Sequence, residues 1–142
     1  MPLLVQLIVT TMLVVLVTII HGTGVVVTTK LFKHDARALR GRKLAFREFR
    51  LMVPMALCLI GLHVVEIAVF ALFFLAFTPL HNFSDALYAS ASAYTTLGIP
   101  TGALGQWQLV GAFEALTGFL LIGWSAAVFV TDMEKILRDW KS

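Results

Sequence analysis

The stretch Ser84–Pro100, SDALYASASAYTTLGIP, decides how the rest of the chain reads. Its first part is helix-competent: Ser84 is a candidate N-cap, and Asp85 suits the positive end of a helix dipole. The helix predicted from Ala86 to about Tyr94 is too short to cross a bilayer, which takes about 20 residues. Thr95 to Gln106 then holds Gly98, Pro100, Gly102 and Gly105, so irregular backbone is predicted there. A long apolar segment follows. A short helix, a threonine–glycine loop and a long apolar helix make a re-entrant pore loop. Such backbone is tolerated at membrane depth only where protein buries it or where it lines a watery path.

Working outward, three segments are long and apolar enough to span. Leu3–Thr29 is rich in Val, Ile and Leu. No Lys or Arg precedes Lys30, so it reads as a retained span rather than a secretory signal. His21 lies within it, followed by Gly22 and Gly24, which suit close helix contact or a bend. Leu51–Phe77 is the second span, with Pro54 in its predicted first turn, where a missing N–H costs little. Pro79–Phe83 is a polar turn, Trp107 marks the interface, and Leu109–Val130 is the third span. The predicted fold is all-α and membrane-embedded, with three spans and a re-entrant helix.

Composition agrees. Of 142 residues 59% are hydrophobic and 13% charged, against about 25% charged in a soluble domain. The single cysteine, Cys58, permits no internal disulfide and reads as a small buried packing residue. The length leaves no room for a separate catalytic module. With no paired nucleophile and base and no phosphate loop, an enzyme is not predicted, nor a cofactor.

Positive charge is concentrated. Residues 30–50 carry Lys30, Lys33, Arg37, Arg40, Arg42, Lys43, Arg47 and Arg50 against Asp35 and Glu48. With Phe32, Ala36, Leu39, Phe46 and Phe49 at helix-like spacing, this reads as one or two basic amphipathic helices on the membrane surface, facing anionic lipids. A solvated basic linker is the plainer alternative. Nucleic acid is a poor fit for a segment tethered between spans. Basic loops stay inside, so the cluster and the tail 132–142 are expected to be cytoplasmic, and the N-terminus and the Pro79–Gln106 loop outside, in a multi-pass protein of the cell (inner) membrane. Residues 1–29 are read as an N-terminal span, 30–50 as the basic segment, 51–131 as two further spans with the loop between them, and 132–142 as the tail.

Ala86-Leu87-Tyr88, Ser90 and Tyr94-Thr95-Thr96-Leu97-Gly98 resemble the pore helix and filter entrance of tetrameric potassium channels. The segment Gly111–Ala126, GAFEALTGFLLIGWSA, resembles the inner helix of the bacterial two-span members of that family. The resemblance covers about Leu51 to Val130. It implies a homotetramer in which four copies of Thr95, Thr96, Leu97 and Gly98 replace an ion's hydration shell with carbonyl oxygens. It further implies a hydroxyl ring from Thr96, gating hinges at Gly118 and Gly123, and monovalent cations, K+ or Na+, as permeant ions. Where the family has Tyr-Gly-Asp after the first filter glycine, this chain has Ile99-Pro100-Thr101. Proline is fixed near φ −65° and cannot take the left-handed conformation used there. The filter, Thr95 to Pro100, is therefore expected to be altered in its outer half, and the resemblance does not fix the selectivity.

Three further residue groups invite a role. Glu114 is expected to support the filter, hydrogen-bonded to Ser92, Tyr94 or a backbone group, or else to be a buried structural acid. His63 and Glu66 are three apart and share a helix face near the middle of a span. A carboxylate there costs roughly 2.5–3.5 kcal/mol on insertion scales and must face protein or water. With His21 they suggest an interhelical contact, a proton relay or a divalent metal; two ligands on one helix are too few to predict a metal site. Gly118 also fits a packing glycine at a helix crossing. Two other function classes stand beside the channel: a non-conducting membrane interaction or sensor protein reusing the fold, and a small proton- or metal-linked transporter built on His21, His63 and Glu66.

Overall fold

The computed structural model describes residues 2–38 and 44–138. Four α-helices and one 3-10 turn are present, with no strand among the described residues. They are α1 (Leu3–Ala38), α2 (Leu44–Phe77), α3 (Phe83–Tyr94) and α4 (Gln108–Arg138), with the 3-10 turn at Gly105–Trp107. Helices α1, α2 and α4 contain apolar spans at Leu3–Lys33, Phe49–Phe77 and Gly105–Lys135. The chain is a multi-pass membrane protein.

The long helices overrun their predicted apolar limits. Lys30 to Ala38 is the last part of α1, and Leu44 to Arg50 the first part of α2. The described parts of the basic segment thus continue the spans rather than form a separate surface helix; residues 39–43 lie outside the described residues. Lys, Arg, Ala and Leu are strong helix formers, and leaving the apolar layer supplies no reason to stop. The tail likewise begins as helix, since α4 runs to Arg138. Pro54 consequently lies inside α2 rather than in its first turn, and offers no N–H to the turn before it.

Helix α1 packs through one narrow stripe. Among the residues whose burial is described, those buried are Thr10, Val17, His21, Val25, Thr28 and Phe32, spaced as one helix face requires. Three of the six are polar, while Ile8, Leu16, Ile19 and Val26 are exposed. Lipid is as apolar as these side chains, so nothing drives them inward; small and polar residues mark the helix contacts instead. Gly24 is the closest of these contacts: a Cβ there would stand 2.5 Å from Leu62 Cδ1. Cys58, expected to be buried, is exposed on α2.

Two apolar clusters lie along the bundle. One gathers Val17, Phe70, Phe74, Ala86, Leu104 and Trp107, where α3 packs against α2 and α4. Trp107, immediately before α4, is 7% exposed and meets Phe73 edge-on at 5.0 Å. The other gathers Phe32, Leu51, Met55 and Met133 at the far end. Along α1 and α2 the polar residues His21, His63 and Glu66 fall between the two.

Helix α3 starts at Phe83 because Asn82, not Ser84, caps it. The Asp85 backbone N–H donates to Asn82 Oδ1 at 2.8 Å, and Asn82 Nδ2 donates to Asp85 Oδ2 at 2.6 Å. We expect Asn82→Ala to destabilise the folded protein by about 1 kcal/mol and Ser84→Ala to leave it within about 0.5 kcal/mol, as read from thermal unfolding of the full chain in detergent micelles.

Candidate functional site

Helix α3 ends on Tyr94, and that residue holds the site together. Its carbonyl lies against Gly118 of α4 so closely that a Cβ on Gly118 would stand 2.2 Å from it. Its side chain, 1% exposed, points toward α2 and donates a hydrogen bond from its hydroxyl to Glu66 Oε2.

Glu66 is fully buried and gathers three donors from three helices. His21 Nδ1 of α1 lies 2.8 Å from Oε1. His63 Nδ1, one turn back on α2, lies 3.0 Å from Oε2 and 2.9 Å from the Tyr94 oxygen. The carboxylate fixes the tautomers, since both Nδ1 atoms must carry their proton to bond it. A carboxylate offers about four acceptor positions, so three donors largely replace the water it lost. The His21 ring stacks on His63 with centroids 5.4 Å apart and meets Trp124 of α4 at 5.2 Å. His21 Nε2 is buried with no hydrogen-bond partner. The structure thus brings His21, His63, Glu66 and Tyr94 into one cluster.

Glu114 forms a second buried contact, with Ser90 rather than with Ser92 or Tyr94. Ser90 Oγ lies 2.5 Å from Glu114 Oε1 and 2.8 Å from the Ile67 carbonyl oxygen. One hydroxyl proton cannot serve both acceptors. All three atoms are satisfied when Glu114 carries a proton and donates to Ser90, which donates to Ile67. Ser90 is missed in the sequence because Ser90 and Ser92 are alike in type. Their spacing from Tyr94 separates them: Ser90 is four residues back, on the same face.

The loop is built on the end of α3. The N–H groups of Thr95, Thr96 and Gly98 donate to the carbonyls of Ala91, Ala93 and Ser92 at 3.0, 2.8 and 3.1 Å. Ser92, itself buried, supports the loop through its backbone. Thr96 has φ +62° and Gly98 φ +92°, while Thr95 is at −87°. Leu97 is not among the positive-φ residues, so the sign of φ alternates from Thr95 to Gly98. A β-branched residue at positive φ is an outlier. Leu97 is 83% exposed. Ile99 turns back against the α2–α4 core, and Pro100 is exposed. Beneath the loop, Thr95, Thr96, Phe119 and Gly123 line an open cavity of about 410 Å³. Helix α4 runs unbroken through Gly118 and Gly123, and nothing stands within 4 Å of a Cβ built on Gly123.

No family model, no curated protein and no solved structure matches the chain. Three apolar helices are not in themselves specific to a potassium channel.

The two α4 glycines should separate cleanly. Gly118→Ala must push Tyr94 away and is expected to destabilise by about 1–3 kcal/mol, whereas Gly123→Ala is expected to stay within about 0.5 kcal/mol. The thermal unfolding midpoints of both full-length variants in the same detergent check this.

Proposed function

We propose that the protein is a potassium-channel-like cation channel, assembled from four copies around the Thr95–Gly98 loops, with an altered outer filter. One observation carries the reading: α3 stops at the depth of the middle of the spans. Tyr94 meets Glu66, roughly 16 Å along α2 from its end at Phe77, and Gly118, about 15 Å along α4 from its start. That is about half of a 30 Å hydrocarbon layer. The loop at this depth is exposed and polar, a combination that lipid does not tolerate. Water and further copies of the chain are the surroundings that suit it.

Electrostatics favours a cation. The C-terminal end of α3 carries partial negative charge and faces the loop. Alternating left- and right-handed residues turn successive N–H groups to one side, which leaves carbonyls toward the other. Pro100 ends this alternation, so the ring of ion sites is shorter than in the family and selectivity between K+ and Na+ is weaker. Ions pass down their gradient. The N-terminus and loop lie outside and the C-terminus is cytoplasmic, by the basic-loop rule. Anionic lipids suit the groove of about 560 Å³ between α1 and α4, apolar along Val25, Val26 and Trp124 and rimmed by Lys30, Lys33 and Lys135.

The test is flux. Full-length protein in liposomes is expected to pass K+ and Na+ and to weigh as four chains by native mass spectrometry. Leu97→Cys in a Cys58→Ser background is expected to lose flux when a water-soluble thiosulfonate is added. Folded protein that stays monomeric overturns the proposal. A folded tetramer silent to both ions overturns conduction and favours the non-conducting sensor.

A further inference from the structure

The cluster behind the loop has the composition of a metal site. His21, His63 and Glu66 each offer a donor atom, and the three atoms lie within 4.8 Å of one another. They come from two helices, and the Tyr94 oxygen stands beside them, 2.9 Å from His63 Nδ1. We propose that His21, His63 and Glu66, with Tyr94 at the fourth corner, bind a divalent first-row transition-metal ion of the zinc type.

Ligand chemistry selects that class. Two imidazoles and one carboxylate suit zinc, cobalt or iron, while magnesium and calcium take oxygen ligands. Size also fits. Around a tetrahedral ion bound at about 2.0–2.1 Å, neighbouring donors stand roughly 3.3 Å apart. Two hydrogen-bonded pairs here stand at 2.8 and 3.0 Å and the Tyr94–Glu66 pair is shorter still, so the donors spread by about half an ångström, and Tyr94 by more, to admit the ion. His63, 16% exposed, gives a way in.

His21 points the same way. Without an ion its Nδ1 must hold the proton to bond Glu66, which leaves Nε2 a buried lone pair with no partner. With an ion on Nδ1 the proton moves to Nε2. The Trp124 ring, whose centroid lies 5.2 Å from that of His21, is an aromatic neighbour that suits an imidazole N–H better than a lone pair. No proton leaves the imidazole; it changes tautomer. The ion would tie α1 and α2 to the last residue of α3, immediately before Thr95. Any effect on conduction rests on the channel reading, whereas the site itself does not.

Binding is therefore read without flux. Full-length protein in detergent, stripped with chelator, is titrated with Co2+. The expected result is one ion per chain with visible d–d absorption of four-coordinate intensity, bleached by added Zn2+. His21→Gln and His63→Ala are expected to weaken binding more than about tenfold, and His81→Ala to leave it unchanged. His63→Cys keeps a ligand in place and is expected to add a sulfur-to-cobalt charge-transfer band in the near ultraviolet. Folded wild-type protein without d–d bands overturns the proposal, as does a Co2+ affinity left unchanged by His63→Ala or bands that are lost with His81→Ala.

Discussion

The buried carboxylate of Glu66 needs partners, and the fold is arranged to supply them. A lone charge in a bilayer costs roughly 2.5–3.5 kcal/mol on insertion scales, and removing one partner from a buried pair costs about 3–5 kcal/mol. Donors from α1, α2 and α3 meet this need at one point. The donor from α3 is its last residue. A 12-residue helix is marginal by itself; this one is fixed at its start by Asn82 and at its end by Tyr94. The loop that follows inherits its position from that end.

The polar layer also explains why α1 belongs to the bundle. Little of α1 is buried, and most of its apolar side chains face outward. Its attachment comes from His21 on Glu66, from Gly24 against Leu62, and from Gly22, where a Cβ would meet Trp124 at 3.7 Å. These contacts reach both α2 and α4. The N-terminal helix is therefore wired to Glu66, the residue behind the loop.

The spans, the short helix and the irregular loop were legible because length and hydropathy respond directly to the thickness of a bilayer. The His63–Glu66 pair was legible because helical spacing places three-apart residues on one face. The inward face of α1 was not, since apolar periodicity carries no information where the surroundings are apolar. Its polar residues Thr10, His21 and Thr28 were the usable signal. Helix ends were misjudged where basic helix formers extend a span beyond the lipid, as at Lys30 and Leu44. Residue type alone does not rank Asn82 above Ser84 as the cap, or Ser90 above Ser92 as the partner of Glu114. Cys58 is exposed rather than buried, because the lipid around a span is as apolar as a packed core and residue type does not separate the two settings.

The loop from Thr95 to Gly98 is exposed along its whole length. Thr96 holds a left-handed backbone that costs of order 1–3 kcal/mol, and Leu97 beside it is 83% exposed. Strain of that kind persists where the surroundings over-determine it, and here they do so from behind: Tyr94 is fixed at both its carbonyl and its hydroxyl, and three loop N–H groups are tied to α3 carbonyls. The front has no such support. A scaffold this rigid behind an exposed, strained and polar turn makes sense when something must meet that turn at a fixed geometry. In the proposed assembly the partner is the same turn from other copies, with an ion between them.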